Sequence, residues 1–395
     1  EGFPHQVFTA LRRHEPVRWH VIPDQFPGDH DDGFWVLSKH EDIQAVSRNP
    51  ELFSAFDGPQ LSHQPAIAGS MLVSMDGRDH VRQRRLISAG FTPRMISQLE
   101  RQIRRWAESI VDAALQQGEC DFVSAIAFPL PMNVIADMVG IPEQDRAWLF
   151  SLANQFLQAD TPGRRLSPEK QLELQVQLFE YAQTLGRRKR SDPQDDVWTI
   201  LSTVEVETDD GGLATLSQVE LDLFFLLLIV AGSETTRNAV SQGLLALLDH
   251  PDQLERLRRE PEAIPLAVEE ILRWSSPVVC FARRATGDTQ IRGVPIAEGD
   301  RVTMWYPSAN RDEDVFDDPF RFDTRRSPNP HAAFGGGGVH FCLGASLARR
   351  ELTTLLEVLL ERAKHIELDG TPSYTPLGIF NPIMLFMEEL PVRLA

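Results

Sequence analysis

The residues from Phe334 to Gly344 read F-G-G-G-G-V-H-F-C-L-G, and no other stretch restricts the chain as strongly. Consecutive glycines let a backbone turn sharply and pass close to a flat ligand. The cysteine after them, Cys342, stands just ahead of a helical pattern, where helix-start amides and the helix dipole stabilise a thiolate. A thiolate held this way is a suitable axial ligand for haem iron, pushing electron density that favours O–O cleavage. A phosphate-binding glycine loop and a buried inert cysteine stay open as readings of this segment alone, although no Lys-Ser/Thr follows, which excludes a P-loop.

A chain of 395 residues with 42% hydrophobic and 24% charged residues can bury a sizeable core, which excludes a disordered or fibrous protein. The formal charge of −18 speaks against whole-surface binding of nucleic acid or anionic membrane, while a local basic face stays possible. Cys120, Cys280 and Cys342 are odd in number and widely spaced, which argues against a disulfide framework and agrees with a reducing cytoplasm. The longest apolar run, Leu223 to Ala231, falls far short of the roughly 20 residues a membrane helix needs, so no membrane anchor is expected. The first residues show no signal-peptide pattern, and the missing Met suggests a short leader trimmed away.

Helical periodicity dominates. Short strands are expected at Val17 to Val21 and Phe34 to Leu37, flanking a turn-rich loop from Pro23 to Gly33. Ile96, Leu99, Ile103, Trp106 and Ile110 mark an amphipathic helix over Pro93 to Gln117, closed by Gly118. Pro142 to Leu157 and Pro168 to Leu185 read as helices joined by Ala159 to Ser167, and the polar, acidic stretch Ser191 to Gly212 reads as a linker loop. Ser217-Gln218-Val219-Glu220 matches a capping box and opens a long buried helix reaching Leu248. Helices then follow at Pro251 to Arg259 and around Glu262 to Ser275. Strands with tight turns occupy Val278 to Val302, and Pro307 to Pro330 lacks periodicity. A last helix after Gly344 aligns Leu352, Leu355, Leu356 and Leu359.

Three further groups carry chemistry. Glu270-Ile271-Leu272-Arg273 places an acid and a base three apart on one helix face, which alone reads most simply as a surface ion pair. Ala231-Gly232-Ser233-Glu234-Thr235-Thr236 puts a costly glycine and two β-branched residues inside the long helix; packing or kinking is the plain reading, and a local opening the functional one. His80 and Arg84 lie four apart in the Arg-rich helical segment Gly77 to Phe91.

Together these segments resemble the cytochrome P450 superfamily, of the soluble bacterial type, over essentially the whole chain. Phe334 to Gly344 is similar to its haem-binding signature F-G-x-G-x-H-x-C-x-G, with Phe334 eight residues before Cys342 where the common spacing is seven. The Gly338, His340, Cys342 and Gly344 spacing is intact. Glu270 and Arg273 resemble the E-x-x-R pair, and Pro319-Phe320-Arg321-Phe322 resembles the later P-x-R-F element, which implies a Glu270-Arg273-Arg321 network anchoring the cysteine loop. The Ala231 to Thr236 segment resembles the oxygen-activation motif.

The resemblance implies a mainly α fold with small β-sheets (α+β), a triangular prism of helices around a buried haem. Residues 1–395 would form one domain, a mixed helix/sheet lobe and a large helical lobe with haem between. Cys342 would ligate the iron of haem b; Phe334, Gly336 and Gly344 would shape its loop; and His80, Arg84, Arg283 and His340 would bind the propionates. Thr235 and Glu234, with Ala231 and Gly232, would serve dioxygen chemistry and proton delivery. The implied activity is monooxygenation of a hydrophobic small molecule, a steroid, branched lipid or terpenoid. The glycine loop is similar to that of bacterial members acting on steroid side chains and branched lipids. Phe224, Leu227 or Leu228 and Ala231 lie on one helix face with Thr235 and would wall the pocket, although core packing explains that apolar stripe equally well; the resemblance adds Met71 to Val73, Val278-Val279 and Ile379-Phe380 as walls. No flavin or nicotinamide fingerprint appears, so electrons from NAD(P)H would arrive through ferredoxin reductase and an acidic iron–sulfur ferredoxin. That partner would dock on Arg78, Arg82, Arg84, Arg85, Arg349 and Arg350 of a cytoplasmic monomer. A peroxide-driven peroxygenase and a non-catalytic haem sensor or carrier are the alternatives, the first disfavoured by the Glu234-Thr235 pair.

Overall fold

The computed structural model describes residues 2–23, 30–61, 68–90, 93–157, 166–207, 212–375 and 383–395. Contacts divide the chain into two compact units. The first comprises Glu1–Arg78, Gln242–Ala345 and Pro376–Met387, the second Asp79–Ser241, Ser346–Thr375 and Glu388–Ala395.

The first unit is built on a five-stranded sheet in the order Val17–Val21, Gly33–Leu37, Arg301–Trp305, Cys280–Ala285, Phe53–Ser54. The two expected N-terminal strands pair antiparallel, and Arg301–Trp305 adds to them in parallel, with Val302 opposite Trp35 and Met304 opposite Leu37. Val17, Leu37, Ile43, Val46, Phe53, Val302 and Met304 form one buried cluster over this sheet. Each such side chain contributes roughly 1.5–3 kcal/mol by leaving water. The helices His40–Ser47, Pro251–Arg259 and Ile264–Ser275 belong to this unit; of the stretch from Pro307 to Pro330, the first three residues lie in the short helix Tyr306–Ala309, and the remainder is irregular, as its composition suggests.

Helices dominate the second unit, among them Pro93–Gln117, Pro129–Val139, Glu143–Leu157 and Pro168–Ser191. The helix Gln218–Asp249 starts in this unit. It opens on the expected capping box: Ser217 Oγ accepts the Glu220 N–H at 3.2 Å, and the Glu220 carboxylate accepts the Ser217 N–H at 2.8 Å. Glycine at 118 takes φ 76°, so Pro93–Gln117 ends there as expected.

The stretch from Ser191 to Gly212 departs from expectation. It holds a helix, Val197–Thr203, whose start is capped by Asp196 accepting the Thr199 N–H at 2.7 Å. Burial of Trp198 fastens this helix to the unit, an apolar anchor that the surrounding acids mask in the sequence. The preceding helix also runs on to Ser191, past Leu185. Among the described residues no helix is long and apolar enough to cross a membrane.

Candidate active site

In the first unit, the cysteine loop lies against the end of the helix His40–Ser47. A side chain at Gly338 (φ 77°) would put its Cβ 2.4 Å from the Ser47 carbonyl oxygen, and one at Gly336 would meet the Ile43 carbonyl oxygen at 2.8 Å. The extra glycine is absorbed without losing Phe334: the Cys342 N–H donates to the Phe334 carbonyl at 3.1 Å, closing the loop across eight residues. Gly344 faces open space, and the helix Ala345–Arg362 begins directly after it. The Cys342 thiol is exposed, whereas burial pushes the Cys280 and Cys120 thiols up, away from the thiolate form.

Behind the loop, Glu270 and Arg273 are fully buried, and the guanidinium forks onto the carboxylate with two bonds of 2.7 Å. The third member is not Arg321. That side chain is exposed, and only its carbonyl takes part, accepting from Arg273 at 3.1 Å. Arg326 occupies the place instead: its Nε lies 3.2 Å from Glu270 Oε2, and its Nη atoms donate to the carbonyls of Asp317, Asp318 and Arg321 at 2.7, 3.1 and 3.0 Å. The cause is the neighbouring Phe322, buried against His250 and Trp274, which turns Arg321 outward. Asn329, three residues beyond Arg326, also donates to Glu270, at 3.2 Å.

Arg283, on the strand Cys280–Ala285, is buried and donates to the Ala282 carbonyl at 2.8 Å; it has no ion pair among the described residues. Burial lowers its affinity for the proton. His340 Nε2 lies 3.8 Å from Asp76, a residue the sequence reading passed over. Burial works to raise the Asp76 carboxyl, but hydrogen bonds with His340, Ser54 and the Ala55 N–H outweigh it and hold it down to about 2. Met71, Leu72 and Val279 are buried, Val73 and Val278 half-buried; Ile379 and Phe380 lie outside the described residues.

On the helix Gly77–Ser88, His80 is buried and Arg84 half-buried, one turn apart on one face. Two of the arginines expected to form a basic face are already engaged within the second unit. Arg82 is ion-paired with Glu220, and Arg350 with Glu100 at 2.9 Å.

The long helix runs through Ala231 to Thr236 without a break, so the expected local opening is not a gap in the helix. Gly232 has a packing reason: a Cβ there would approach Ile135 Cδ1 to 2.9 Å. The hydroxyls fold back on the helix, Thr235 Oγ1 donating to the Ala231 carbonyl at 2.7 Å and Ser233 Oγ to that of Ile229 at 2.6 Å. Ala231 is exposed, and Leu227, Leu228 and Thr235 are half-buried, which leaves an accessible, largely apolar stripe on this stretch of the helix; Phe224 is buried. Glu234 points elsewhere. It is buried and ion-paired with Arg237, burial raising its carboxyl and Arg237 opposing that rise.

Comparisons with known proteins identify the family. The family model described as Cytochrome P450 matches residues 169–385. A steroid C26-monooxygenase of Rhodococcus jostii is 38% identical over 98% of this chain and 82% of its own length. A methyl-branched lipid omega-hydroxylase of Mycobacterium tuberculosis is 40% identical over 98% of this chain and 90% of its own. A solved Mycobacterium marinum cytochrome P450, in complex with pseudoionone, matches with a TM-score of 0.89 at 38% identity, over 98% of this chain and 94% of that one. The chain belongs to the cytochrome P450 family. It is a monooxygenase of hydrophobic substrates with the P450 fold, using haem and dioxygen. The residues present fit haem: an exposed thiol on a glycine loop, and a buried guanidinium at Arg283 without a carboxylate partner among the described residues, which suits a propionate.

Proposed function

We propose that this monooxygenase hydroxylates the branched end of an apolar lipid, a steroid side chain or methyl-branched chain ahead of a terpenoid. The observation that carries the reading is the accessible stripe of Leu227, Leu228 and Ala231 ending at the Thr235 hydroxyl. An apolar wall gains roughly 25 cal/mol per Å² buried and cannot compensate an unpaired charge, so neutral hydrocarbon is its natural occupant. The names of the steroid and branched-lipid relatives support the same choice.

In this reading Cys342 holds haem b through its sulfur. His80, Arg84, Arg283 and His340 hold the propionates, while Phe334, Gly336 and Gly344 shape the loop beside the ring. Bound haem supplies dioxygen activation and the insertion of one oxygen atom, the other leaving as water. Thr235 turns its Oγ1 from the Ala231 carbonyl to hold and pass a proton, and Glu234 must leave Arg237 to replenish it. Gly232 lets the helix pack on Ile135, and the stripe beginning at Ala231 excludes water and orients the substrate.

The chain acts as a single cytoplasmic domain and as a monomer, with electrons drawn from NAD(P)H through ferredoxin reductase and an acidic iron–sulfur ferredoxin. The pairing of Arg82 and Arg350 weakens the steering that six arginines would exert on such a partner. Optical titration with steroids, methyl-branched fatty acids and terpenoids, followed by product analysis, tests the substrate class. Neutral branched lipids should give tight high-spin shifts and terminally hydroxylated products. Tight binding confined to small charged compounds would refute the assignment.

A further inference from the structure

The residues from Asn329 to Ala333 lead into the cysteine loop and are fastened almost one by one. Asn329 donates to Glu270 at 3.2 Å, the Pro330 carbonyl accepts from His40 Nε2 at 2.8 Å, and the Ala332 N–H donates to Asn310 Oδ1 at 2.7 Å. The last of them is held from within the segment, the Ala333 N–H donating to Nδ1 of His331 at 3.2 Å. The side chain of His331 is only 3% exposed, and its Nε2 lies 3.1 Å from Glu269 Oε2 on the helix Ile264–Ser275. A backbone N–H can only donate, so Nδ1 is the bare nitrogen of the ring and Nε2 carries the proton, which points at the carboxylate. Glu269 thereby selects the tautomer that lets His331 accept from Ala333. Its neighbour Glu270 is committed to Arg273 and Arg326, so the two consecutive acids serve different parts of the site.

We propose that Glu269 and His331 are positioning residues for the iron ligand, the carboxylate fixing the imidazole tautomer and Nδ1 fixing the amide that precedes Phe334. Ala333 is joined directly to Phe334, whose carbonyl accepts the Cys342 N–H at 3.1 Å, and the His331 ring lies 6.0 Å from that of Phe334. The glycines from Gly335 to Gly338 give the loop little stiffness of its own, because glycine has the most backbone freedom to lose. The loop is therefore set from its entry. A shift of Ala333 carries the Phe334 carbonyl with it, and the Cys342 amide loses the acceptor that closes the loop on the thiol. A thiolate held less firmly donates less charge to ferric iron, which raises the reduction potential.

The inference rests on Cys342 as the iron ligand, so the test separates the two. Asparagine places its Oδ1 where His331 has Nδ1, and glutamine places its amide nitrogen near Nε2, so the two replacements keep opposite ends of the contact. The haem-loaded wild type, His331→Asn, His331→Gln, Glu269→Ala and Cys342→His are compared by reduction potential, by urea midpoint, and by ferrous carbon monoxide spectra followed over time on mild warming. His331→Gln should lose the thiolate-type band roughly tenfold faster than the wild type, about what one hydrogen bond supplies. A tenfold shift of the ferric-to-ferrous equilibrium corresponds to a potential about 59 mV higher. His331→Asn should stay within about twofold of the wild type, and Glu269→Ala, in which either nitrogen can carry the proton, should lie between them. Urea midpoints should be alike in the two His331 variants. Decay and potential alike in those two, or a difference matched by their urea midpoints, marks a merely structural histidine and overturns the proposal. So do wild-type values in Glu269→Ala. If Cys342→His keeps the thiolate-type spectrum, the iron-ligand assignment fails and this inference with it. Should Glu269→Ala not hold haem, the contrast between His331→Asn and His331→Gln decides alone.

Discussion

Replacing Arg326 should damage the protein far more than replacing Arg321, the residue the family's P-x-R-F element points to. Arg326 is nearly buried, lies 3.2 Å from the fully buried Glu270, and donates three further bonds to backbone carbonyls at 2.7, 3.1 and 3.0 Å. A hydrogen bond to a charged group contributes roughly 1.5–3 kcal/mol. Glu270 keeps its fork with Arg273 in the variant, and the freed carbonyls regain some water, so Arg326→Ala should cost about 2–4 kcal/mol and not the sum of four bonds. Arg321 is exposed, and its side chain makes no hydrogen bond or ion pair among the described residues, so Arg321→Ala should stay within about 0.5 kcal/mol. The damage should also reach the haem. Glu270 holds Asn329, and Asn310 holds the Ala332 N–H at 2.7 Å, two residues before the cysteine loop starts at Phe334. Urea unfolding followed by far-ultraviolet dichroism gives the stability loss, and transfer of haem to apomyoglobin gives its retention. Equal losses in the two variants, or a larger one in Arg321→Ala, would refute the assignment of Arg326 to the network.

Cys342→His should abolish the thiolate-type carbon monoxide spectrum while Cys120→Ala and Cys280→Ala retain it; the reverse pattern would move the iron ligand elsewhere. Thr235→Ala should keep haem and substrate shifts yet divert electrons to peroxide, and unchanged coupling of electron use to product would count against its role. Glu351, buried on the helix Ala345–Arg362 and hydrogen-bonded to the Thr236 hydroxyl, gives a stability signature of its own. Its folded-state value of about 8 stands above the ordinary 4.5, so its favourable contribution is whole at low pH and is lost as pH rises from 4.5 through 8. The loss is at most about 5 kcal/mol, and Glu351→Gln should flatten urea midpoints measured between about pH 5 and about pH 9. A wild-type profile in the variant would show that burial does not raise this acid.

What could be read from the sequence was chemistry confined to one local spacing. Glu270 and Arg273 are three apart on one helix, Ser217 and Glu220 form their own cap, and the cysteine loop closes on Phe334 within eight residues. Partners chosen by the tertiary fold could not be read that way. Between Asn310 and Pro330 no period says which arginine turns inward. Phe322 decides it by packing against His250 and Trp274, and those two residues lie far back in the chain. The parallel pairing of Val302 with Trp35 is equally invisible to any window of sequence. Gly232 shows the opposite hazard, since its propensity cost suggested an opening until Ile135 supplied a packing reason. Glu351 went unnoticed because it adjoins the leucine face of its helix, where an acid reads as the edge of a solvated stripe. Its neighbour across the helices, Thr236, changes that meaning: the same carboxyl, shut away from water beside a hydroxyl, becomes a group that keeps its proton at neutral pH. A buried acid is therefore recognised from its surroundings, and those surroundings exist only once the two helices have packed.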